Sequence, residues 1–289
     1  MGIFGKPLLV HYHIYKNAGS SVEKNLLDSF GERWALYDGI PDAFRLSSDD
    51  IAAFAAANPG VCAISSHKAR PFRVPGRFFP ILFLRHPIDR ARSAYYFAKR
   101  DPGQFDHPQA RDRSFRDYVN WWLDRPGSAF RNYQVVHLSQ ASLRVSDFSD
   151  AAAQVEDLRE ACTLLSSLRF FGLVRRFHES CRGFEVCYRR VFPDLKMNWV
   201  RENGSTEQGL SEKVALEVAR DELGEAAYAR LVEANRLDLA LYETAAGLFD
   251  HNLARLSAQR LRRAGHAFVD LCRGAKGGRR PLRWRWAAP

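Results

Sequence analysis

A strand, a tight loop and a helix follow one another over residues 7–30, and this unit constrains the fold most. The segment PLLVHYHI at residues 7–14 is rich in β-branched and aromatic residues, which is typical of a buried strand. It runs into the small-residue segment KNAGSS, after which Val22, Leu26 and Phe30 recur at helical spacing. Such a unit predicts a sheet with a helix packed on one face.

Three later segments have the composition of buried strands and are separated by helical patterns. They are VCAISS at 61–66, FFPILFL at 78–84 and RFFGLV at 169–174. Two more helices are predicted over residues 211–223 and 225–249. Because strands that alternate with helices build parallel sheets with both faces covered, we expect an α/β fold. It would be a three-layer sandwich around a mainly parallel sheet, with a P-loop-like strand, loop and helix.

The formal net charge of +10 is concentrated in one part of the 289-residue chain. Residues 251–289 hold ten Lys and Arg residues and one Asp, whereas residues 1–250 hold 33 basic and 32 acidic residues. We therefore divide the chain into a domain over 1–250 and a basic amphipathic tail over 251–289. Arginines interleaved with leucines and followed by tryptophans favour docking on an anionic membrane surface, and a solvated tail is the alternative. Nucleic acid is disfavoured as a partner because no nucleic-acid-binding motif accompanies the charge.

The sequence also indicates the cellular compartment of the protein. Its longest apolar run, FFPILFL, is far shorter than the roughly 20 residues of a membrane-spanning helix. The first residues, MGIFGKPLLV, lack the basic and apolar regions of a secretory signal. The five cysteines contain no CxxC pair, so we expect reduced thiols. These features favour a cytoplasmic protein that is peripheral to a membrane if the tail docks.

The loop after the first strand has the chemistry of an anion site. Backbone N–H groups at a helix N-terminus, flanked by small side chains, can cradle a phosphate, although the same pattern also fits an ordinary turn and cap. In a Walker A loop the lysine closes the loop at the start of the helix. Here Lys16 opens the loop and Gly19 follows it, which disfavours an ordinary ATP-binding loop.

A second candidate anion site follows the strand FFPILFL. Arg85 stands at the predicted carboxyl end of that strand, and Ser93 lies eight residues later on the next helix. A guanidinium fork and a hydroxyl at this spacing can grip one phosphate group. A solvated arginine at a strand end is the alternative.

Together the two segments carry a family resemblance. The order HIYKNAGSS, then LRHPIDRARSAYYF about 70 residues later, resembles the sulfotransferases that use 3′-phosphoadenosine 5′-phosphosulfate (PAPS). The nearest branch includes the heparan and uronyl 2-O-sulfotransferases, whose motifs are of the type PKTAGTS and RDPIERLVSYYYF. The likeness extends more weakly over roughly residues 8–250, and Tyr15 stands where the family usually has proline.

The resemblance implies a cosubstrate site. The 5′-phosphosulfate of PAPS would be lined by six consecutive residues of the first motif: Lys16, Asn17, Ala18, Gly19, Ser20 and Ser21. Arg85 and Ser93 would hold the 3′-phosphate. Arg201 lies in a polar loop where related enzymes close over the nucleotide.

His67 is our candidate for the base that takes the acceptor's proton. It follows the strand VCAISS, and the carboxyl ends of parallel strands face the ligand crevice. It also stands where the resembling 2-O-sulfotransferases have a histidine proposed as base. Of His11 and His13 on the first strand, at least one is expected to point into the core, and His86 is expected to be structural. We expect no metal, because no set of residues has convincing ligand spacing.

The expected activity is transfer of a sulfuryl group from PAPS to a hydroxyl of a carbohydrate or glycolipid acceptor. Transfer would be an in-line displacement in which His67 acts as base and Lys16 stabilises the leaving phosphate. Two alternatives stay open at this point. One is a P-loop-like ATP-dependent kinase, and the other is a non-catalytic nucleotide-binding protein at the membrane surface.

Overall fold

A computed structural model describes residues 6–39, 45–71, 74–125, 129–144, 152–198 and 211–274, with side chains in the last range as far as residue 258. The strands of the described part are β1 (Leu8–Tyr12), β2 (Trp34–Leu36), β3 (Ala63–Ser66), β4 (Phe78–Ile81), β5 (Phe83–Leu84) and β6 (Gly172–Leu173). Its helices are α1 (Gly19–Phe30), α2 (Ser48–Ala57), α3 (Pro87–Arg100), α4 (His107–Arg111), α5 (Phe115–Leu123), α6 (Tyr133–Leu138), α7 (Val155–Ser167), α8 (Phe177–Tyr188), α9 (Glu212–Leu223), α10 (Glu225–Ala234) and α11 (Arg236–Gly274).

A four-stranded parallel sheet in the order β2-β3-β1-β4 forms the centre of the molecule, and helices flank it. Val10 of β1 is paired with Ile64 of β3 on one side and with Pro80 of β4 on the other. The predicted mixed α/β architecture with a central parallel sheet is therefore confirmed. Since all four strands run in one direction, their carboxyl ends open at the same edge of the sheet.

The apolar segment FFPILFL differs from the single strand that was predicted. Its first part, β4, pairs with β1, whereas its last part, β5, pairs in parallel with β6. Between them, the carbonyl of Leu82 accepts a hydrogen bond from the amide of Gly172 at 2.7 Å. An apolar run shows that a segment is buried, but it does not show where the segment changes its pairing partner.

Strand β2 was not predicted. It is three residues long and only partly buried, so it has no alternating pattern that distinguishes it from a loop. Its pairing with β3 identifies it as a strand, with Ala35 opposite Ile64. This short strand places Asp38 at the carboxyl edge of the sheet.

The predicted helix over 225–249 is interrupted at Asn235. The buried side-chain amide of Asn235 donates to the carbonyls of Phe130 at 2.6 Å and Leu231 at 2.9 Å, which ends α10. Asn132 then accepts from the amides of Leu237 and Asp238 at the start of α11. Helix α11 continues through residue 250 to Gly274, so the predicted tail begins inside a helix.

In the part of the chain that the structure describes, buried apolar side chains form two clusters. The larger lies around the sheet and includes Leu9, Ile64 and Phe171. The smaller lies between α3, α5, α9 and α10 and includes Tyr118 and Leu231. The sheet cluster holds β1, β3 and β4 in place, and the second cluster packs α3 against α5 and α9. The segments that carry the two candidate motifs are therefore anchored in packed structure at the carboxyl edge of the sheet.

Candidate functional site

A cavity of about 400 Å³ opens at the carboxyl edge of the sheet. Its walls come from the end of β1, the first turns of α1, the residues after β3 and β5, and the partly buried face of α3 that carries Ser93 and Phe97. Its lining residues are His13, Tyr15, Lys16, Ala18, Gly19, Ser20, Ser21, Glu23, His67, Arg85, Ser93, Phe97, Gln104 and Val174. The fold thus brings both candidate motifs and His67 to one cavity, although they are far apart in the sequence.

The loop between β1 and α1 has an unusual backbone. Lys16 and Ala18 have φ angles of 64° and 66°, in the left-handed region that costs a non-glycine residue about 1–2 kcal/mol. Ala18 is the N-cap of α1 and supplies no side-chain hydrogen bond, and the first turn carries no acidic residue. The N-terminus of α1 is therefore left with its positive dipole end at the cavity, where an anion is favoured.

Lys16 lies against an aromatic ring. Its Nζ is 3.5 Å from the centroid of the Phe97 ring, which is a cation–π contact. Burial, followed by the neighbouring charges of Arg85 and Arg100, lowers the pKa of Lys16 to about 7. An anion in the cavity would favour the charged ammonium and raise this pKa again.

Arg85 is held by a buried carboxylate and by the loop. Its Nε and Nη2 donate to Asp89 at 2.8 and 3.1 Å, and its Nη1 donates to the carbonyl of Lys16 at 3.1 Å. Arg175 binds the same carboxylate at 3.1 and 2.8 Å. Burial alone would raise the pKa of Asp89, but the two guanidinium groups hold it well below its usual range. Two cations and one anion leave one net positive charge in this group, and its member Arg85 lines the cavity together with Ser93.

His86 occupies a structural position, in agreement with the sequence analysis. Burial, partly opposed by Asp89 and reinforced by Arg175, lowers its pKa to about 4, so the ring is neutral. The ring packs edge-on against Tyr242, with centroids 5.4 Å apart. His86 does not line the cavity.

Asn17 belongs to the loop between β1 and α1, but its side chain is buried beneath the loop backbone and does not line the cavity. Its side-chain amide donates to the carbonyl of Phe83 and to Oε1 of Gln134, both at 2.8 Å. Gln134 in turn accepts from the amide of Arg85 at 3.0 Å and donates to the carbonyl of Arg85 at 2.8 Å. The buried Gln134 therefore connects the two motifs. It was not predicted, because its only signal in the sequence is a polar residue in the segment YQVVHL.

His67 is oriented by a carboxylate. Its Nδ1 lies 2.9 Å from Oδ2 of Asp38, whose Oδ1 accepts from the His67 amide at 2.7 Å and from the Ser66 hydroxyl at 3.0 Å. The hydrogen bond to Asp38 raises the pKa of His67. Burial would raise the pKa of Asp38, but its hydrogen bonds and the charge of His67 hold that pKa well below the usual range. With Nδ1 donating to Asp38, the lone pair of neutral His67 is on Nε2.

His13 and Glu23 form a second histidine–carboxylate pair. The His13 Nδ1 lies 2.8 Å from Glu23 Oε1, and the His13 ring centroid is 4.1 Å from that of His67. Burial lowers the pKa of His13, while its hydrogen bond to Glu23 opposes this effect. His11 is the buried histidine of β1, with Nδ1 3.0 Å from the Ser65 hydroxyl, so one of the two points into the core as predicted.

Asp38, Glu23 and His13 line or support the site but were not predicted as site residues. Glu23 carried a weak signal, because it stands four residues after Gly19 and therefore on the same face of α1. Asp38 carried none, since β2 was not predicted. Arg201, the remaining predicted cosubstrate residue, lies outside the described residues.

The chain has a relative among known proteins. Among the described residues, no helix is long and apolar enough to cross a membrane. No protein-family model matches the chain. An uncharacterised protein of Archaeoglobus fulgidus is 30% identical over 260 residues, which cover 84% of this chain and 98% of the archaeal protein. A match of this extent shows common descent over nearly the whole archaeal sequence, and the chain belongs to the same family as this uncharacterised archaeal protein.

Proposed function

We propose that the protein is a PAPS-dependent sulfotransferase that acts on a hydroxyl group of a carbohydrate or glycolipid. The observation that carries the proposal is the meeting of the two motifs on one cavity that also contains an oriented imidazole. In this proposal the fold is a three-layer sandwich of the sulfotransferase type, and the loop from Lys16 to Ser21 is its P-loop-like element.

The donors around the cavity fit a small polyanion. They comprise the uncapped N-terminus of α1, the ammonium of Lys16, the guanidinium of Arg85 and the hydroxyls of Ser20 and Ser93. A volume of about 400 Å³ is in the usual range of sites for small ligands. Lys16 and the start of α1 would hold the 5′-phosphosulfate, and Arg85 with Ser93 would hold the 3′-phosphate. When bound, PAPS supplies an activated sulfuryl group attached to a phosphate leaving group.

His67 would remove the proton of the acceptor hydroxyl. Its Nε2 receives the proton, and the Asp38 carboxylate on Nδ1 stabilises the imidazolium that results. Positioned general bases contribute about 10²–10⁴-fold to rate, so His67→Ala is expected to lose at least about 10²-fold in kcat. Binding of the nucleotide should survive this change, because the phosphate-binding groups are on other segments.

Lys16 would place positive charge where negative charge grows on the leaving phosphate. Its free pKa of about 7 means that the ammonium is only partly formed in the unliganded cavity at neutral pH. Entry of an anion favours the protonated form, so the charge appears with the ligand. A preorganised cation at a developing oxyanion stabilises the transition state more than the ground state.

Calorimetric titration with 3′-phosphoadenosine 5′-phosphate beside ATP tests the proposal. We expect tighter binding of the 3′-phosphorylated nucleotide, and we expect Arg85→Ala to remove this preference, since Arg85 is assigned to the 3′-phosphate. Preference for ATP would favour the kinase alternative and overturn the proposal. Sulfuryl transfer from PAPS to a panel of sugars, abolished in His67→Ala with binding retained, distinguishes an enzyme from a non-catalytic nucleotide-binding protein.

The basic tail would act separately from the cavity. Residues 251–289 contain ten Lys and Arg residues against one Asp, interleaved with leucines. Such a segment is attracted to anionic lipid headgroups by about 1 kcal/mol for each basic residue near the surface. We therefore assign the tail to docking of a cytoplasmic enzyme on an anionic membrane surface where its acceptor is made.

A further inference from the structure

Three potential metal ligands from separate segments meet in the cavity wall. They are His13 after β1, Glu23 on α1 and His67 after β3, and one ligand atom of each lies within 4.8 Å of the others. All three side chains line the cavity, so the space between them is accessible to a small ion. Two imidazoles and one carboxylate with an open fourth position are a donor set that suits zinc.

Contacts around the three residues determine which ring nitrogen of each histidine is available to an ion. A Cβ placed on Gly19 would lie only 1.7 Å from Nε2 of His13, so this edge of the ring is closed against α1. His13 therefore offers Nδ1, which already lies 2.8 Å from Glu23 Oε1. The Nδ1 of His67 is hydrogen-bonded to Asp38, and Nε2 is left as its ligand atom.

Asp38 adds an observation that is independent of the three ligands. Metal-binding histidines usually donate their second ring N–H to a carboxylate, which fixes the tautomer and increases the basicity of the ligand atom. The Asp38–His67 pair has this arrangement, with 2.9 Å between Oδ2 and Nδ1. Asp38 is held in turn by the Ser66 hydroxyl and the His67 amide.

The distances are compatible with a tetrahedral ion. Bonds of about 2.0–2.1 Å to zinc place tetrahedral ligand atoms about 3.3 Å apart. The separation is 2.8 Å between His13 Nδ1 and Glu23 Oε1, and one potential ligand atom of each of the three residues lies within 4.8 Å of the others, so this value falls inside the observed range. Side-chain adjustments of about 1 Å or less, without movement of the sheet, would complete the site.

We propose that His13, Glu23 and His67 bind one divalent transition-metal ion of the zinc class, with the fourth position open to the cavity. Imidazole ligands disfavour Mg²⁺ and Ca²⁺, which prefer oxygen. A bound ion takes the lone pair on Nε2 of His67, so this residue can no longer accept a proton. The ion is therefore an inhibitor of transfer, and this consequence alone rests on the proposed function.

Metal binding is tested on the full-length, metal-stripped protein, with Co²⁺ absorption and Zn²⁺ calorimetry as readouts. We expect one Co²⁺ per chain with the intense visible bands of tetrahedral coordination. Glu23→Gln and His13→Ala remove ligands and should abolish these bands. Asp38→Asn retains the ligands and should weaken Zn²⁺ binding by about 10–100-fold. His251→Ala, which changes an exposed histidine on α11, is the matched control and should bind as the unaltered chain does.

Two results would overturn the metal site: an unchanged Zn²⁺ affinity in Glu23→Gln and His13→Ala, or Co²⁺ spectra without tetrahedral bands. Unfolding curves recorded for each variant show whether a lost signal comes from lost structure. If His13→Ala does not fold, the result for Glu23→Gln, whose side chain keeps its shape, decides whether these residues bind metal. If sulfuryl transfer is observed but no metal binds, the metal site alone fails. If Zn²⁺ binds but 3′-phosphoadenosine 5′-phosphate does not, the proposed function alone fails.

Discussion

Asp38 fixes the orientation and the tautomer of the His67 ring. It lies at the end of β2, and its carboxylate accepts hydrogen bonds from Nδ1 of the ring and from the His67 amide. His13, 4.1 Å away between ring centroids, has its own carboxylate in Glu23 but is more deeply buried. Two neighbouring imidazoles thus differ in basicity, because the pKa of His67 is raised by its carboxylate and that of His13 is lowered by burial.

Asp38→Asn is expected to shift the acid limb of the pH dependence of kcat. If His67 is the base, as proposed, it must be neutral to accept a proton, so activity should rise as pH passes upward through its pKa. Asp38 raises this pKa, and its removal should move the acid limb to lower pH. The maximum kcat should also fall, because the imidazolium loses its partner. An acid limb at the same pH in the variant and in the unaltered protein would contradict the proposed role of Asp38.

Binding of 3′-phosphoadenosine 5′-phosphate is expected to take up protons through Lys16. The free pKa of Lys16 is about 7, and the phosphates favour its charged form. At pH 7 this corresponds to uptake of about half a proton for each nucleotide bound. Calorimetry in buffers of different ionisation enthalpy measures the uptake. Lys16→Arg is charged throughout and should reduce it, whereas Lys24→Arg, an exposed change on α1, should not. Equal uptake in all three proteins would contradict this assignment.

At the scale of elements, helix α1 and the loop before it are fitted closely to their surroundings. Gly19 allows the ring of His13 to lie directly against the helix, and Gln134 connects this loop to the residues after β5. The same buried region connects α6 and α11, because Asp238 of α11 accepts from the amides of Gln134 and Val135. The relative position of the two motifs is therefore set by hydrogen bonds between elements that are distant in the sequence.

Gly19→Ala is expected to destabilise the protein by about 1–3 kcal/mol, as other additions to packed sites do. The new Cβ would lie 1.7 Å from the His13 ring, which has to move away from Glu23 and His67. Urea unfolding measures the change. Gly247→Ala, in an open position on α11, is the matched control and should stabilise the chain by up to about 1 kcal/mol. Equal stability of Gly19→Ala and the unaltered chain would mean that His13 is not packed against α1.

At the scale of the whole molecule, most of the net positive charge lies in a different part of the chain from the residues of the cavity. The cavity is lined by the cations Lys16 and Arg85, whereas most of the net charge of +10 lies beyond residue 250. Helix α11 crosses this boundary, and Asn252, Leu253 and Leu256 still contact the body. A truncation that separates the tail from the domain should therefore keep Leu256, as one after residue 258 does and one after residue 250 does not.

Flotation with liposomes tests the tail. Nine Lys and Arg residues and one Asp follow residue 258, and their attraction to anionic lipid should carry the full chain to the top of the gradient. A chain ending at residue 258 should remain at the bottom, and neutral liposomes should float neither form. Added salt should release the full chain, since the attraction is electrostatic. Equal flotation of both forms with anionic liposomes would exclude the tail from membrane docking.

The sequence by itself determined the α/β class, the parallel sheet and the residues of both motifs. These follow from patterns within one segment, such as the apolar run of β1, the small residues after it and the helical spacing of Val22 and Leu26. It also indicated His67, because a residue at the carboxyl end of a parallel strand faces the crevice.

Only the tertiary structure decided which residues meet across segments. Asp38, Glu23 and Gln134 have no local pattern that marks them, and the division of FFPILFL between two pairings depends on strands elsewhere in the chain. The physical reason is that hydrogen bonds and charge pairs act over a few ångströms in space, whereas periodicity describes only neighbours along the chain. The partners of His67 and Arg85 are thus consequences of strand order and helix packing.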